Sequence, residues 1–500
     1  MKIARLLSLC LAMFLAPSQT FAQSDDLALK SHRAKELMAE GKFVQSISLY
    51  RELNQAVPNN PGLMLNLGMA LHMAGKEREA IPQLEAVVKR DPGVAPAWLF
   101  LGAARLRAGQ ATAAVKALKT FLELQPDHRE AREMAASALL SLDRFDEAAE
   151  QYQKLTRQQP KSAQAWYGLG QCYETLSSRT FEELQKTDPD SGYWLALAAE
   201  SRARDQQFSS AFYLYRQALE KLPAMRGLHG ALANIYQQTG HPDWAEAEQR
   251  NEDQLAPADC RAQKLECDFR ATQYAQILAS AAKGTKTPES YYWLSRAYNE
   301  LALDAFARLG QLAPSVELHQ LKAHIYENQK RYSEATGEWR QALRLSPSNR
   351  QIQKELALSL KFSQDYGAAL PLFQELLRQQ PASAELNFLV GDTMLNLQRS
   401  EDAIPFLQRA VDHNAKLLTA HKSLARAELA VGKTVEAIPH LRAALATDED
   451  GSLHYQLARA YQAGGQPELA KQILVSYQKL QHSAEEERKS AEKEVEITPP

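Results

Sequence analysis

An all-α solenoid of antiparallel helical hairpins stacked in series is the fold class that the sequence predicts, on three observations. The first is a spacing. Trp98, Leu101, Gly102, Gly109, Ala114, Leu118, Phe121 and Pro126 are answered 34 residues earlier by Met64, Leu67, Gly68, Gly75, Ala80, Leu84, Val87 and Pro92. They are answered again 34 residues later by Arg132, Ala135, Ala136, Asp143, Ala148, Tyr152, Leu155 and Pro160. The second is periodicity within a copy: Trp98, Leu101, Gly102 and Arg105 follow one helical stripe, and Ala114, Leu118 and Phe121 another. The third is punctuation. Gly109 falls where a left-handed residue would stop the first helix, and Pro126 cannot continue the second. One hairpin leaves an apolar stripe wet, so neighbouring copies must stack to bury it.

Trp-x2-Leu-Gly, then Ala-x3-aromatic, then Pro, on this period, resembles the tetratricopeptide repeat family. The resemblance implies a right-handed superhelix whose first helices line a concave groove, and a chain that binds something there.

The 500 residues would otherwise suggest several globular domains, but the period replaces that inference with extended solenoids. A hydrophobic content of 45% supplies a continuous core. With 58 Lys+Arg against 60 Asp+Glu, net charge −2, nothing electrostatic points to nucleic acid or an anionic membrane.

Residues 1–22 read as an export signal: Lys2 and Arg5, an apolar run from Leu6 to Ala16, and Thr20-Phe21-Ala22 as a cleavage site before Gln23. An uncleaved anchor is the competing reading, against which the apolar core is too short for a stable span. Cys10 lies inside that core rather than at its end, so lipidation is discounted, and no later segment is apolar enough for stable membrane insertion. The expected location is therefore exported, in the periplasm or outside the cell.

In chain order, a degenerate repeat occupies 27–60, and better copies follow at 61–94, 95–128 and 129–162. The next opens on Trp166-x2-Leu169-Gly170-x2-Tyr173, lacks a turn glycine and reaches Pro189 early. Its pattern returns 125 residues later: Tyr167, Leu169, Tyr173, Leu176, Phe181, Leu184 and Pro189 recur as Tyr292, Leu294, Tyr298, Leu301, Phe306, Leu309 and Pro314. The spacing predicts one long helix over about 163–186 and another over about 289–312, with a short two-helix turn at Ser177-Ser178 as the alternative. Regular copies occupy 192–225 and 226–259 between them. Cys260, Cys267, Gly284 and Pro288 surround one expected helix near 268–282, making 256–288 the junction of two halves, 23–259 and 289–480. Five repeats complete the second half, and 481–500 reads as a charged tail that caps the last helix and frays. Pro82, Pro371, Pro405 and Pro439 should mark starts of second helices, where a missing N–H costs nothing.

Cys172, on a repeat helix, reads as a small core residue. Cys260 and Cys267 suggest a disulfide in an oxidising compartment. In one helix their α-carbons would stand about 10 Å apart, so a bond between them predicts a non-helical loop.

No catalytic, cofactor or metal site emerges. Gly432-Lys433-Thr434 lacks the first glycine of a phosphate loop, since residue 427 is alanine. His319 and His324 are not on one helical face, and Asp188-Pro189-Asp190 lacks further calcium ligands. The surface left over is the groove: Leu65, Met69, Leu99 and Leu106, then Glu130, Glu133, Tyr167, Glu174, Tyr193 and Glu200, then Lys354, Lys361, Lys422, Arg426 and Arg459. That reversal of sign suits an extended peptide or protein segment, apolar at one end and charge-matched beyond, rather than a small molecule. Lys422-x3-Arg426 is similar to part of the carboxylate clamp of some repeats, from which Leu358 departs. The expected function is a non-enzymatic protein-interaction scaffold of the cell envelope. The alternatives are an assembly or chaperone-like factor for envelope or secreted proteins, and an enzyme with a site built from loops.

Overall fold

The computed structural model describes residues 18–284, 286–493 and 496–500. The expected signal segment therefore lies mostly outside the described residues. Among those described there are helices and turns but no strands. Two compact units divide the chain: residues up to Leu176 with Leu301–Ala305, and Ser177–Glu300 with Phe306–Pro500. The division falls inside the two long helices and not at 256–288.

The first unit stacks the hairpins α1/α2 (Ser18–Ala39, Phe43–Ala56), α3/α4 (Pro61–Met73, Glu77–Arg90), α5/α6 (Ala95–Arg107, Ala111–Leu124) and α7/α8 (Arg129–Ser141, Phe145–Gln158). The long helix α9 follows, Ala163–Thr187. The second unit contains α10/α11 (Gly192–Arg204, Phe208–Lys221), α12/α13 (Leu228–Gln238, Pro242–Gln254) and a shortened pair α14/α15 (Lys264–Arg270, Tyr274–Lys283). Beyond the long α16 (Pro288–Gly310) come α17/α18 (Val316–Asn328, Tyr332–Leu345) and α19/α20 (Arg350–Phe362, Tyr366–Gln379). The last pairs are α21/α22 (Ala384–Asn396, Ser400–His413), α23/α24 (Leu418–Ala430, Thr434–Ala444) and α25/α26 (Ser452–Ala463, Pro467–Lys493).

Close approach within a hairpin explains the small residues. A Cβ on Gly102 would stand 2.6 Å from Leu118, and Ala114 beside it is fully buried. Phe121 and Leu118 fill the space between successive hairpins. The fourth position of the repeat makes a different contact. Trp98 and Trp166 each donate from the indole N–H to a carbonyl six residues earlier, Pro92 and Pro160, at 2.8 Å. Where the tryptophan is replaced the donor persists: Arg132 to Pro126, Gln353 to Pro347 (3.0 Å), Asn387 to Pro381 (3.0 Å) and His421 Nε2 to Ala415 (3.1 Å).

The long helices run as single helices where the spacing predicts them. Within the second unit Ser177 on α9 and Ser295 on α16 exchange hydrogen bonds, each hydroxyl donating to the other's carbonyl at 2.8 and 3.2 Å. Three expectations are corrected. The single helix near 268–282 is two short ones, because Thr272 turns left-handed (φ 56°) and closes a miniature hairpin. Cys260 and Cys267 are bonded with α-carbons 5.6 Å apart; residues 255–263 are non-helical as a bond requires, but Cys267 sits inside α14, so the bonded loop is only partly outside a helix. Helix α26 runs on to Lys493, past the point where a frayed tail was expected.

The prolines are also deeper than a start position. Pro82, Pro371, Pro405 and Pro439 are each the sixth residue of their helix. All four rings face solvent, and the carbonyl left without an N–H in α4, on exposed Arg78, can be reached by water.

The hairpin turn has one recurring left-handed residue. It is glycine at 41, 75, 109, 240, 432 and 465, but Asp143, Gln206, Thr272, Lys330, Gln364 and Gln398 elsewhere. A side chain in this conformation costs roughly 1–2 kcal/mol, partly offset by its smaller loss of backbone freedom on folding. Replacing Gln364 or Gln398 by Gly should raise stability by about 0.5–1 kcal/mol, and a β-branched Thr272→Gly by more. Chemical denaturation midpoints check this; a lowered midpoint for all three would contradict the left-handed assignment.

Candidate functional site

Successive first helices touch one another across repeats, α3 with α5, α5 with α7 and α21 with α23, so their outward sides form a surface that the second helices back. In the first unit Leu65 and Met69 on α3 and Leu99 and Leu106 on α5 are half-buried. Leu65 leans on the N-terminal core, and Leu99 and Leu106 lean on the Leu118–Phe121 cluster. Glu130 is exposed on α7. Glu133, half-buried, has its carboxyl raised by burial and by neighbouring Glu130. On α9, Tyr167 is half-buried and Glu174 exposed.

In the second unit the structure gathers Tyr193 and Glu200 around a residue the sequence reading missed. Arg296 on α16 donates to the Tyr292 hydroxyl at 3.0 Å and lies over the rings of Phe269 (4.7 Å), Tyr292 (5.6 Å) and Trp293 (5.8 Å). Its Nε stands 3.7 Å from a Glu200 oxygen. Tyr193 packs on Tyr292 with ring centres 5.5 Å apart, and burial pushes its hydroxyl up to about 12. The site is a held cation: ring faces and a carboxylate replace part of the water that a half-buried guanidinium loses. The run Tyr291-Tyr292-Trp293, three to five residues before Arg296, was the available signal.

Farther along, the expected cations are partly spent on the fold. Lys354 pairs with Glu385 at 2.6 Å. Lys361 pairs with Asp392 at 2.9 Å, and Asp392 accepts from Ser423 at 2.7 Å. Arg426 donates to Asn396 at 2.9 Å. Lys354 to Glu385, Lys361 to Asp392 and Asp392 to Ser423 are each 31 residues apart, one repeat less a helical turn, which is the sequence signal for contact between adjacent first helices. Lys422, Arg426 and Arg459 remain exposed. Of the expected cations in the second unit, those left without an acidic partner are therefore confined to α23 and α25.

Cys172 is buried, and burial pushes its thiol up to about 12, which fits a packing residue and not a nucleophile. Among the described residues no three His, Cys, Asp or Glu side chains stand close enough to hold a metal, and no helix is long and apolar enough to cross a membrane.

Hairpins in tandem, with second helices packed on the first helix of the next hairpin, define the class: an α-solenoid. The chain is a member of the tetratricopeptide repeat family, whose profiles match residues 37–104, 71–138, 133–179, 316–349 and 354–416. Proteins of this family mediate protein–protein interactions. The chain is 32% identical over 112 residues to Superkiller complex protein 3 of Mus musculus, covering 22% of this chain and 7% of that protein. It is 28% identical over 119 residues to Tetratricopeptide repeat protein 37 of Xenopus laevis, 24% of this chain and 8% of that one. It thus spans less than a tenth of the length of the curated relatives it matches. Among solved structures, MamA is 23% identical with TM-score 0.29, over 40% of this chain and 93% of its own. A tetratricopeptide repeat protein from Parabacteroides merdae is 14% identical with TM-score 0.31, over 67% and 99%.

One buried acid makes the C-terminal repeats sensitive to pH. Glu428 on α23 is almost fully buried and its Oε2 has no hydrogen-bond partner. Burial, then the like charge of Glu436, push its carboxyl up to about 7. A carboxyl raised above its unfolded value favours the fold fully below about pH 4.5, and that contribution is lost as pH rises through 7. Glu428→Gln should therefore match the wild type at pH 4.5 and exceed it at pH 8 by about 2 kcal/mol, on the scale of 1.36 kcal/mol per unit. Denaturation midpoints at the two pH values test it; an equal difference at both would remove the titration as its cause.

Proposed function

We propose that the chain is a non-enzymatic scaffold of the cell envelope that holds a peptide or extended protein segment along its first helices. The observation that carries this reading is what packing leaves over. Leu65, Met69, Leu99 and Leu106 stay half-open on consecutive first helices, and Lys422, Arg426 and Arg459 stand exposed after Lys354 and Lys361 have been neutralised. An apolar stretch suits the face of the first unit, and an acidic one suits α23 and α25. Two features support export: the composition of residues 1–22, and a Cys260–Cys267 bond that would not persist in a reducing cytosol.

A photo-crosslinking residue at Leu99 should trap a protein partner, whereas one at Leu124, exposed at the end of a second helix, should not. Lys422→Glu with Arg426→Glu should lower recovery of that partner about tenfold or more. Equal crosslinking from both positions, or unchanged recovery, would remove the groove from the reading. The mature protein from fractionated cells should begin at Gln23 and show no alkylatable thiol at 260 or 267; a cytosolic protein with an intact Met1 would overturn export.

A further inference from the structure

The repeat turns place one first-helix residue between the two flanking second helices, four positions before the left-handed residue. Arg105 shows the geometry, donating to Glu85 on α4 (2.6 Å) and to the Ala113 carbonyl on α6 (3.1 Å). Such second–first–second arrangements leave outer grooves. One, over α7 between α6 and α8, is a cleft of 550 Å³ that Leu139 helps to floor. Another, of 780 Å³, lies over α21 and is lined by Pro371, Leu377, Asn387, Phe406 and Arg409. Both have the size of ligand sites.

The groove over α12, between α11 and α13, is filled by the chain itself. Its floor residue is Tyr236, four before Gly240. Phe212 on α11 and Trp244 on α13 flank it, each with ring centres 5.6 Å away, and His241 stacks on Trp244 at 4.1 Å. The Tyr236 hydroxyl donates to the carbonyl of Thr498 at 2.7 Å, and Ile497 packs against the same hydrophobic cluster. With the segment in place Tyr236 is fully buried.

We propose that this outer groove is a binding site for an extended aliphatic–Thr–Pro peptide, occupied in cis by residues 496–500 of the chain. The sequence of the segment explains why it needs such a site. Pro499 holds Thr498 out of the helical region, and Pro500 extends that restriction. The segment cannot prolong α26, so its carbonyls have no helical donors and are left to water or to a side chain within reach. A buried phenol is a donor that an extended strand can reach without a sheet edge. The two prolines are ordered before docking, which lowers the entropy cost of holding the segment. Tethering raises its local concentration, so a free peptide of the same kind must displace it. The site stands apart from the first-helix face and does not rest on the function proposed for that face.

The test uses the full chain and a fluorescent peptide of residues 494–500. Ile497→Asp should release the tethered segment, and the peptide should then bind about tenfold more tightly than to the wild type. Tyr236→Phe in the Ile497→Asp background keeps the ring against Phe212 and Trp244 but removes the donor, and should weaken binding about fivefold. Circular dichroism confirms that each variant keeps its helices. Equal affinity for wild type and Ile497→Asp, no binding to Ile497→Asp, or indifference to Tyr236→Phe would each overturn the assignment. Sedimentation separates cis from trans: a monomer is expected, and a wild-type dimer dissolved by Ile497→Asp would place the segment on a second copy instead.

Discussion

The carbonyl at the end of each hairpin is the group on which the stacking most depends. It has left one helix and not entered the next, and at six junctions the following first helix supplies a donor from its fourth position. Trp98 and Trp166 do this with an indole N–H, and Arg132, Gln353, Asn387 and His421 with other donors. The contact fixes how far the chain descends between repeats and hence the register in which Leu118 and Phe121 meet the next hairpin. A landmark that looks like an aromatic preference is thus also a requirement for a donor of sufficient reach. The requirement reaches further where the donor is a histidine. Because the Ala415 carbonyl can only accept, His421 carries its proton on Nε2, and Nδ1 is left to accept from His440 at 3.0 Å. His440, its pKa lowered by burial and then by His421, is neutral in that arrangement.

Most of the fold was legible because it rests on local rules repeated many times. The 34-residue period located the hairpins, and the absence of glycine and proline through Tyr298–Phe306 located a long helix. The reading failed where a local rule was outvoted by packing. Pro82, Pro371, Pro405 and Pro439 look like helix starts, since that is where proline is harmless, but the apolar stripe begins earlier and carries the helix through them on its wet side. Thr272 gave no turn signal, because a β-branched residue is among the least suited to a left-handed conformation; its neighbours Phe269 and Tyr274, whose rings pack 5.5 Å apart, impose it.

Helical position was legible, and charge much less so. Helical spacing put Leu65, Leu99, Tyr193, Lys361 and Arg426 on first helices, where they lie in α3, α5, α10, α19 and α23, but residue type alone could not say which charges were already taken. Lys361 looked available and is bound to Asp392, a residue one repeat on that was not considered as its partner. Arg296 was overlooked because a cation inside a run of aromatic residues reads as surface until Phe269 and Glu200, distant in sequence, are seen to enclose it. Pairings across repeats need the three-dimensional register first, and only then does their 31-residue spacing become visible.

The inner and outer sides of the repeats differ in what variation they permit. On the inner side, polar residues of adjacent first helices pair with one another, as in Lys354–Glu385 and Lys361–Asp392–Ser423, so changing one charge disturbs the next repeat. On the outer side the residue between flanking second helices answers to no such partner in the next first helix. It is Arg105, Leu139, Tyr236, Met394 and Glu428 in turn: a cation, an aliphatic, a phenol, a thioether and an acid raised to about 7. Each gives its groove a different chemistry while the left-handed turn keeps the frame the same. Groove chemistry on the outer side therefore varies without a charge pairing to the next first helix, although Leu139, Tyr236, Met394 and Glu428 are themselves buried and also pack the stack, and Tyr236, holding the Thr498 carbonyl, is one such groove with its ligand in place.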